Sequence, residues 1–291
     1  AGHYVKMVHN GIEYGIMQLI AETYHLLKEV GKLNNSELHD VFSTWNKGAL
    51  QSFLIEITAE IFAQKDELTG NHLVDMILDS AHQKGTGMWT SQDAMSLHVP
   101  ITTIDAAVSM RDLSANKAAR QAAAKLLHGK TIINKIDKQN LIQQAEQALH
   151  FAMIVTYAQG MALLHKASQE YHYGLNLAEV AKIWRGGCII RAALLEDIRA
   201  VFAKEPDLPN LLISNVFASK VNNLQESVRN IIKTGISAGI PLPATSAALN
   251  YFDACRRGWL PANLIQAQRD YFGAHTYQRT DREGTFHTQW S

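Results

Sequence analysis

Five residues able to move protons or grip an oxygen-rich ligand crowd into the first fourteen positions: Lys6, His9, Asn10, Glu13 and Tyr14. In a helix turning about 100° per residue, steps of three and four stack on one face, so these five and Met17 share one arc. Val5, Val8, Ile12, Ile16 and Leu19 fall on the opposite side, an apolar stripe suited to a core. An ordinary amphipathic surface helix has the same alternation. Composition separates the two readings, because a solvated face favours long Glu and Lys pairs, whereas this one sets His, Asn and Tyr around a single Lys and a single Glu. The face reads as a binding face.

Other residues acquire weight only in company. In the loop Gln83-Lys84-Gly85-Thr86-Gly87, two glycines around a threonine let backbone N–H groups approach an anion closely, with Lys84 beside them. The signal is weak without a GxxxxGK[ST] pattern, and a simple turn capped by Thr90 competes with it. It strengthens only if a second cation converges. Arg111 taken by itself is a surface or salt-bridged arginine. Arg269 and His275 stand in an aromatic setting near the end of a helical segment, followed by a polar tail to Ser291 that carries Phe286 and Trp290. Exposed aromatics on a dangling tail predict docking, with another subunit as the obvious candidate.

What must position these residues is helical. Six prolines in 291 residues leave long stretches free of breakers. A first helix is expected from about Tyr4 to Val30, a second capped by Asn34, Asn35 or Ser36 and ending at Gly48, and a third from Leu50 to Phe62. Between Asp66 and Gly87 the pattern lapses. Helix resumes after Pro100, continues through the alanine-rich run from Asn116 to Leu127, and breaks at His128-Gly129-Lys130. A second long helix is expected from Lys138 to about Tyr171, another from Leu211 to about Ala238, and a last one within Asn263–Tyr277. Leu177, Val180 and Trp184-Arg185-Gly186-Gly187 follow the second long helix as Leu38, Val41 and Trp45-Asn46-Lys47-Gly48 follow the first, at a tryptophan spacing of 184 − 45 = 139. The expectation is an all-α fold: one large helical domain with an internally duplicated helix array and a C-terminal tail.

Composition narrows the function. Lysine plus arginine (27) balances aspartate plus glutamate (27), so no global field draws nucleic acid or an anionic membrane. An anionic ligand has to be held by a local cluster. Cys188 and Cys255 cannot build a disulfide framework and read as reduced thiols in a cytoplasmic protein. The thirteen histidines show no HExxH, and no metal site is expected. Neither a signal-peptide pattern nor an uninterrupted apolar run of spanning length is apparent, so no membrane partner is expected. The polar helix begins almost at Ala1, which predicts a fragment or processed form of a longer protein.

Taken in order, GHYVKMVHNGIEYG, QKGTG with WT following, WRGGCIIR and LIQAQRDYFGAHTY closely resemble the C-terminal helical domain of the decarboxylating 6-phosphogluconate dehydrogenases, over essentially the whole chain. The resemblance implies oxidative decarboxylation of 6-phospho-D-gluconate to ribulose 5-phosphate, carbon dioxide and NADPH in the pentose phosphate pathway. It implies that NADP is bound mainly by a preceding Rossmann domain, and this chain indeed has no strand followed by GxGxxG. By the same resemblance Lys6 is the base toward the 3-hydroxyl and Glu13 the acid toward C1 of the enediol. His9 and Asn10 then hold the sugar acid, and Tyr14, Lys84 and Arg111 its phosphate end. Arg269 and His275 come from the other subunit of a homodimer. A lysine acting as base must be neutral, and burial beside other cations is the expected means. Two positions depart from the family pattern: Ile16 stands where aspartate is usual and Met88 where lysine is usual. The isolated chain is expected to be inactive. Competing readings are a non-catalytic helical dimerisation module and a related 3-hydroxyacid dehydrogenase, which would lack the phosphate-end cations.

Overall fold

Local signals at helix starts are realised in detail. Asn34 accepts from the Glu37 amide at 3.0 Å while the Glu37 carboxylate accepts from the Asn34 amide at 2.8 Å, a reciprocal capping box. Ser52 and Asp137 cap two further helices by accepting from backbone amides, without the reciprocal bond. The computed structural model describes residues 1–129, 131 and 136–290, so Lys130 of the expected break and Ser291 of the tail lie outside the described residues. The elements are α1 (Gly2–Glu29), α2 (Asn35–Trp45), α3 (Phe53–Ala63), α4 (Leu73–Met76), α5 (Thr86–Ser96), α6 (Thr102–Ala115), α7 (Lys117–Ala124), α8 (Lys138–Glu170), α9 (Leu177–Arg185), α10 (Leu194–Lys204), a 3-10 turn (Leu211–Ile213), α11 (Asn215–Ala238), α12 (Pro243–Cys255) and α13 (Ala262–Gly273). Among the described residues there is no strand, only isolated bridges, and the class is all-α. The last helix ends at Gly273, two residues before His275.

By its contacts the chain divides into two compact units, Ala1–Tyr251 and Phe252–Ser291. In the first, α1 and α8 cross antiparallel, with Ile12 against Gly160 and Gly15 against Thr156. A Cβ on Gly160 would lie 2.4 Å from Ile12 Cδ1, so that glycine is what permits the close approach. Val8, Ile12, Ile16 and Leu19 are at most 1% exposed, so the apolar stripe of α1 is spent on this core except for Val5, which is half-buried at its start. By length and mean composition α8 would suffice to cross a membrane, although polar residues interrupt its apolar run, and 83% of its most apolar stretch is buried inside the protein. It is the core helix.

The helix order recurs. Long α1 is followed by the packed pair α2 and α3, and long α8 by the packed pair α9 and α10. The two arms meet at an antiparallel bridge between Ser52 and Ala192, through Phe53 N–H to Arg191 O at 3.0 Å and Ala193 N–H to Gln51 O at 2.9 Å. Their separation, 192 − 52 = 140, is within one residue of the tryptophan spacing. An antiparallel bridge between equivalent residues is what a two-fold relation of duplicated halves produces. Elsewhere in the unit, the buried Glu22 carboxylate of α1 accepts from the Ala244 and Thr245 amides at 2.8 and 2.9 Å and so tethers the start of α12.

In the second unit the tail does not dangle. Asp270 of α13 is enclosed and accepts from Thr276 N–H, His287 Nδ1, Thr288 N–H and Trp290 Nε1, at 2.9 to 3.0 Å. Tyr277 and Phe286 exchange both backbone hydrogen bonds at 2.8 Å and stack their rings, while Trp290 lies 5.6 Å from the Tyr271 ring. Both tail aromatics therefore find partners in their own chain. One carboxylate, rather than an apolar run, gathers the tail.

Candidate active site

The polar face of α1 survives folding with a division of labour. His9 is buried, its Nδ1 3.1 Å from Asn10 Oδ1 and 3.8 Å from Glu13 Oε2. Facing the amide oxygen, Nδ1 is assigned the proton, which leaves Nε2 as a buried acceptor with no hydrogen-bond partner among the described residues. Burial first, and then the Lys6 charge, hold the imidazole down to about 4, so it is neutral near pH 7. Its ring meets the edge of Trp184 at 5.8 Å. Trp184 entered the sequence reading only as a mark of duplication; here the second half of the array buttresses the active face.

Burial pushes the Glu13 carboxyl above the usual carboxylate range, and the charges of Lys6 and then Arg111 pull it part of the way back. Ile16, the departure from the family pattern, is 1% exposed and belongs to the core side of α1. Lys6 is exposed. The burial expected around it is not supplied among the described residues, since α1 turns its apolar side, not this one, to the core.

The start of α1 is held by Tyr4, whose hydroxyl donates to Asp93 of α5, as Tyr171 does at 2.9 Å. Burial, then Asp93, pushes the Tyr4 phenol far above its ordinary range, so it stays a donor. Thr90 makes the second join: its hydroxyl lies 2.9 Å from the carbonyls of Met7 and Thr86. It is therefore not the cap of the preceding turn. That place is taken by Gly85 in the left-handed region, φ +93°, with no side-chain cap, so the amides at the start of α5 are left uncapped.

The second cation that the loop required is present. Arg111 of α6 lies over the Tyr14 ring with its guanidinium carbon 4.4 Å from the centroid, and Nη1 donates to His82 O at 3.2 Å, two residues before Lys84. Tyr14 is buried beneath it, packed with Ala107 and Val108. Lys84 is exposed at the head of the loop, and Met88 is 39% exposed just inside α5. The first unit thus gathers Lys6, His9, Asn10, Glu13 and Tyr14 with Arg111, and hangs the Lys84 loop from it. Arg269 and His275, both exposed, belong to the second unit. Three helices converge to offer three cations, a raised carboxyl and a neutral imidazole, a set suited to a phosphorylated, hydroxyl-rich anion.

The comparisons agree with this chemistry. Residues 2–290 match the family described as 6-phosphogluconate dehydrogenase, C-terminal domain. A decarboxylating 6-phosphogluconate dehydrogenase of Synechococcus elongatus is 58% identical over the whole chain and 62% of its own length. The NADP(+)-dependent decarboxylating enzyme of Bacillus subtilis is 54% identical, again over 62% of its length. Among solved structures, 6-phosphogluconate dehydrogenase of Plasmodium falciparum, studied in its apo form and with its cofactor NADP+ and its substrate 6-phosphogluconate, superposes with a TM-score of 0.96 at 47% identity, covering 99% of this chain and 62% of that one. The chain thus spans 62% of the length of these relatives.

Proposed function

The chain belongs to the family of 6-phosphogluconate dehydrogenase C-terminal domains, and from that membership we propose that it is the substrate-binding, catalytic and dimerising part of an NADP-dependent, decarboxylating 6-phosphogluconate dehydrogenase of the cytoplasmic pentose phosphate pathway. The observation that carries the proposal is the convergence of Lys6, His9, Asn10, Glu13 and Tyr14 on one face of α1 with Arg111 stacked on Tyr14. A dimerisation scaffold has no use for that set.

The described residues contain no strand and so do not form a dinucleotide-binding fold. NADP, when bound, supplies the acceptor for the hydride from C3. Lys6 Nζ takes the 3-hydroxyl proton as the C3 ketone forms. The bond from C2 to the carboxyl carbon then breaks, its electron pair ends on the C3 oxygen, and Lys6 returns the proton there. Glu13, protonated more readily because burial raises its carboxyl, delivers a proton to C1 of the enediol, the former C2, while Lys6 takes back the proton from the neighbouring hydroxyl to leave the ketone. Both groups ride on one helix, so their separation is fixed by its rigidity. His9 and Asn10 grip the sugar acid, and Tyr14, Lys84 and Arg111 the phosphate end, where the guanidinium fork matches paired phosphate oxygens. Arg269 and His275 come from a second copy, which makes the working form a homodimer.

The test uses the full-length protein that contains this chain. Lys6→Met abolishes turnover while leaving 6-phosphogluconate binding largely intact, and Arg269→Ala weakens binding. Mixed dimers of the two regenerate one intact site in each heterodimer, about a quarter of wild-type activity after random reassortment. No recovery on mixing refutes the shared site.

A further inference from the structure

In the second unit, the backbone turns sharply straight after α13. Ala274 and Thr276, one on each side of His275, are both left-handed, with φ of +50° and +61°. Such a conformation is uncommon outside glycine, and two of them around one side chain persist only where the surroundings impose them. Here the Thr276 residue is held from two directions. Its N–H donates to Asp270 Oδ1 at 2.9 Å, and its carbonyl accepts from Gln266 Nε2 at 2.5 Å.

Each of those two residues reaches further. Gln266 Oε1 accepts from Arg269 Nη1 at 3.1 Å, so one amide joins the Arg269 guanidinium to the turn that carries His275. Asp270 Oδ1 also accepts from His287 Nδ1, while Oδ2 accepts from Thr288 N–H and Trp290 Nε1, so one carboxylate joins the same turn to the folded tail. Burial would push this carboxyl up, but His287 and the other donors hold it well below the ordinary range, and it stays ionised.

We propose that Gln266 and Asp270 are positioning residues, which clamp Thr276 between them and thereby fix His275 relative to Arg269 for gripping the anionic substrate. The proposal rests on Arg269 and His275 being substrate ligands. Neither clamp residue has to touch the substrate: Gln266 acts through Arg269 and the turn, Asp270 through the turn and the tail. Residues that grip the ground state and the transition state alike show their loss in KM rather than in kcat.

Steady-state kinetics of the full-length protein, varying 6-phosphogluconate at saturating NADP, test this with Gln266→Leu and Asp270→Asn. Leucine keeps the volume and loses both hydrogen bonds. Asparagine has one carbonyl oxygen, which serves Thr276 and His287 or Thr288 and Trp290 but not both pairs. Each variant is expected to raise the KM for 6-phosphogluconate about tenfold, with kcat within about threefold and the KM for NADP unchanged. Gln266→Leu on an Arg269→Ala background is expected to add much less than tenfold, because its partner is gone. A merely structural role lowers kcat with the folded fraction and leaves KM alone; that result in both variants overturns the proposal. If Asp270→Asn does not fold, Gln266→Leu decides alone. If the wild type does not turn over 6-phosphogluconate, the assigned function fails and the clamp's role fails with it.

Discussion

Gly87→Ala isolates the packing that supports the phosphate end of the site. A Cβ at position 87 would lie 2.8 Å from both Cδ1 and Cε1 of Tyr14 and 3.1 Å from Val108 Cγ2. Carbon atoms rest about 3.5–4.0 Å apart, so the ring has to retreat by roughly 0.7 Å or α5 has to lift by as much. The ring has little room, since it is buried against Ala107 and Val108 with the Arg111 guanidinium 4.4 Å from its centroid. Two terms oppose each other in stability. Overpacking costs roughly 1–3 kcal/mol, while replacing a glycine within a helix gains about 1 kcal/mol. The net change is therefore a loss of about 0–2 kcal/mol, read from the midpoint of urea unfolding at constant slope. Binding has no such offset. Moving Tyr14 displaces Arg111, and misplacing a charge-assisted contact is expected to weaken 6-phosphogluconate binding about tenfold by calorimetry on the full-length protein. A variant that is stabilised by the full helix-propensity gain and binds with unchanged affinity refutes the tight contact and the coupling of α5 to the site.

Two further predictions use the same assays. Because the folded chain holds His9 at about 4 against an ordinary 6.5, the unfolded chain binds more protons between those values. Stability is thus full above about pH 6.5 and is lost as pH falls toward 4, by roughly 1–2 kcal/mol for this residue after allowance for screening. His150, also held at about 4, adds to the same window, so His9→Gln should shrink, not abolish, the difference in urea midpoint between pH 7 and pH 5. An undiminished difference contradicts the neutral, buried imidazole. At the phosphate end, Arg111→Lys should weaken 6-phosphogluconate binding about tenfold, since it loses both the stack on Tyr14 and the planar fork, whereas Lys84→Arg should stay within about threefold. Equal effects on calorimetric affinity would remove the distinction between a stacked arginine and an exposed point charge.

What the sequence disclosed and what it withheld follow from the range of each interaction. The face of α1 was legible because helical neighbours are set by steps of three and four residues, so Lys6, His9, Asn10, Glu13 and Tyr14 needed no tertiary information to be brought together. The repeated order of α1–α3 in α8–α10 was legible from two tryptophans for the same reason: each arm is a local unit. The hub at Asp270 was not legible. Its donors at 276, 287, 288 and 290 are gathered by a left-handed turn and a single bridge, and an aspartate between arginine and tyrosine reads as surface. Nor was the contact of His9 with Trp184 legible, because 175 positions (184 − 9) separate them and only the antiparallel crossing of α1 and α8 closes the gap.

Exposure then sorts the site by role. His9 and Tyr14, proposed to grip the substrate from within the frame, are buried; Lys6, Lys84, Arg269 and His275, proposed to reach toward it, are exposed. The division follows from α1 itself: its apolar stripe is packed against α8 and the core, so Lys6 on the opposite side keeps its solvent access on a backbone that is already fixed.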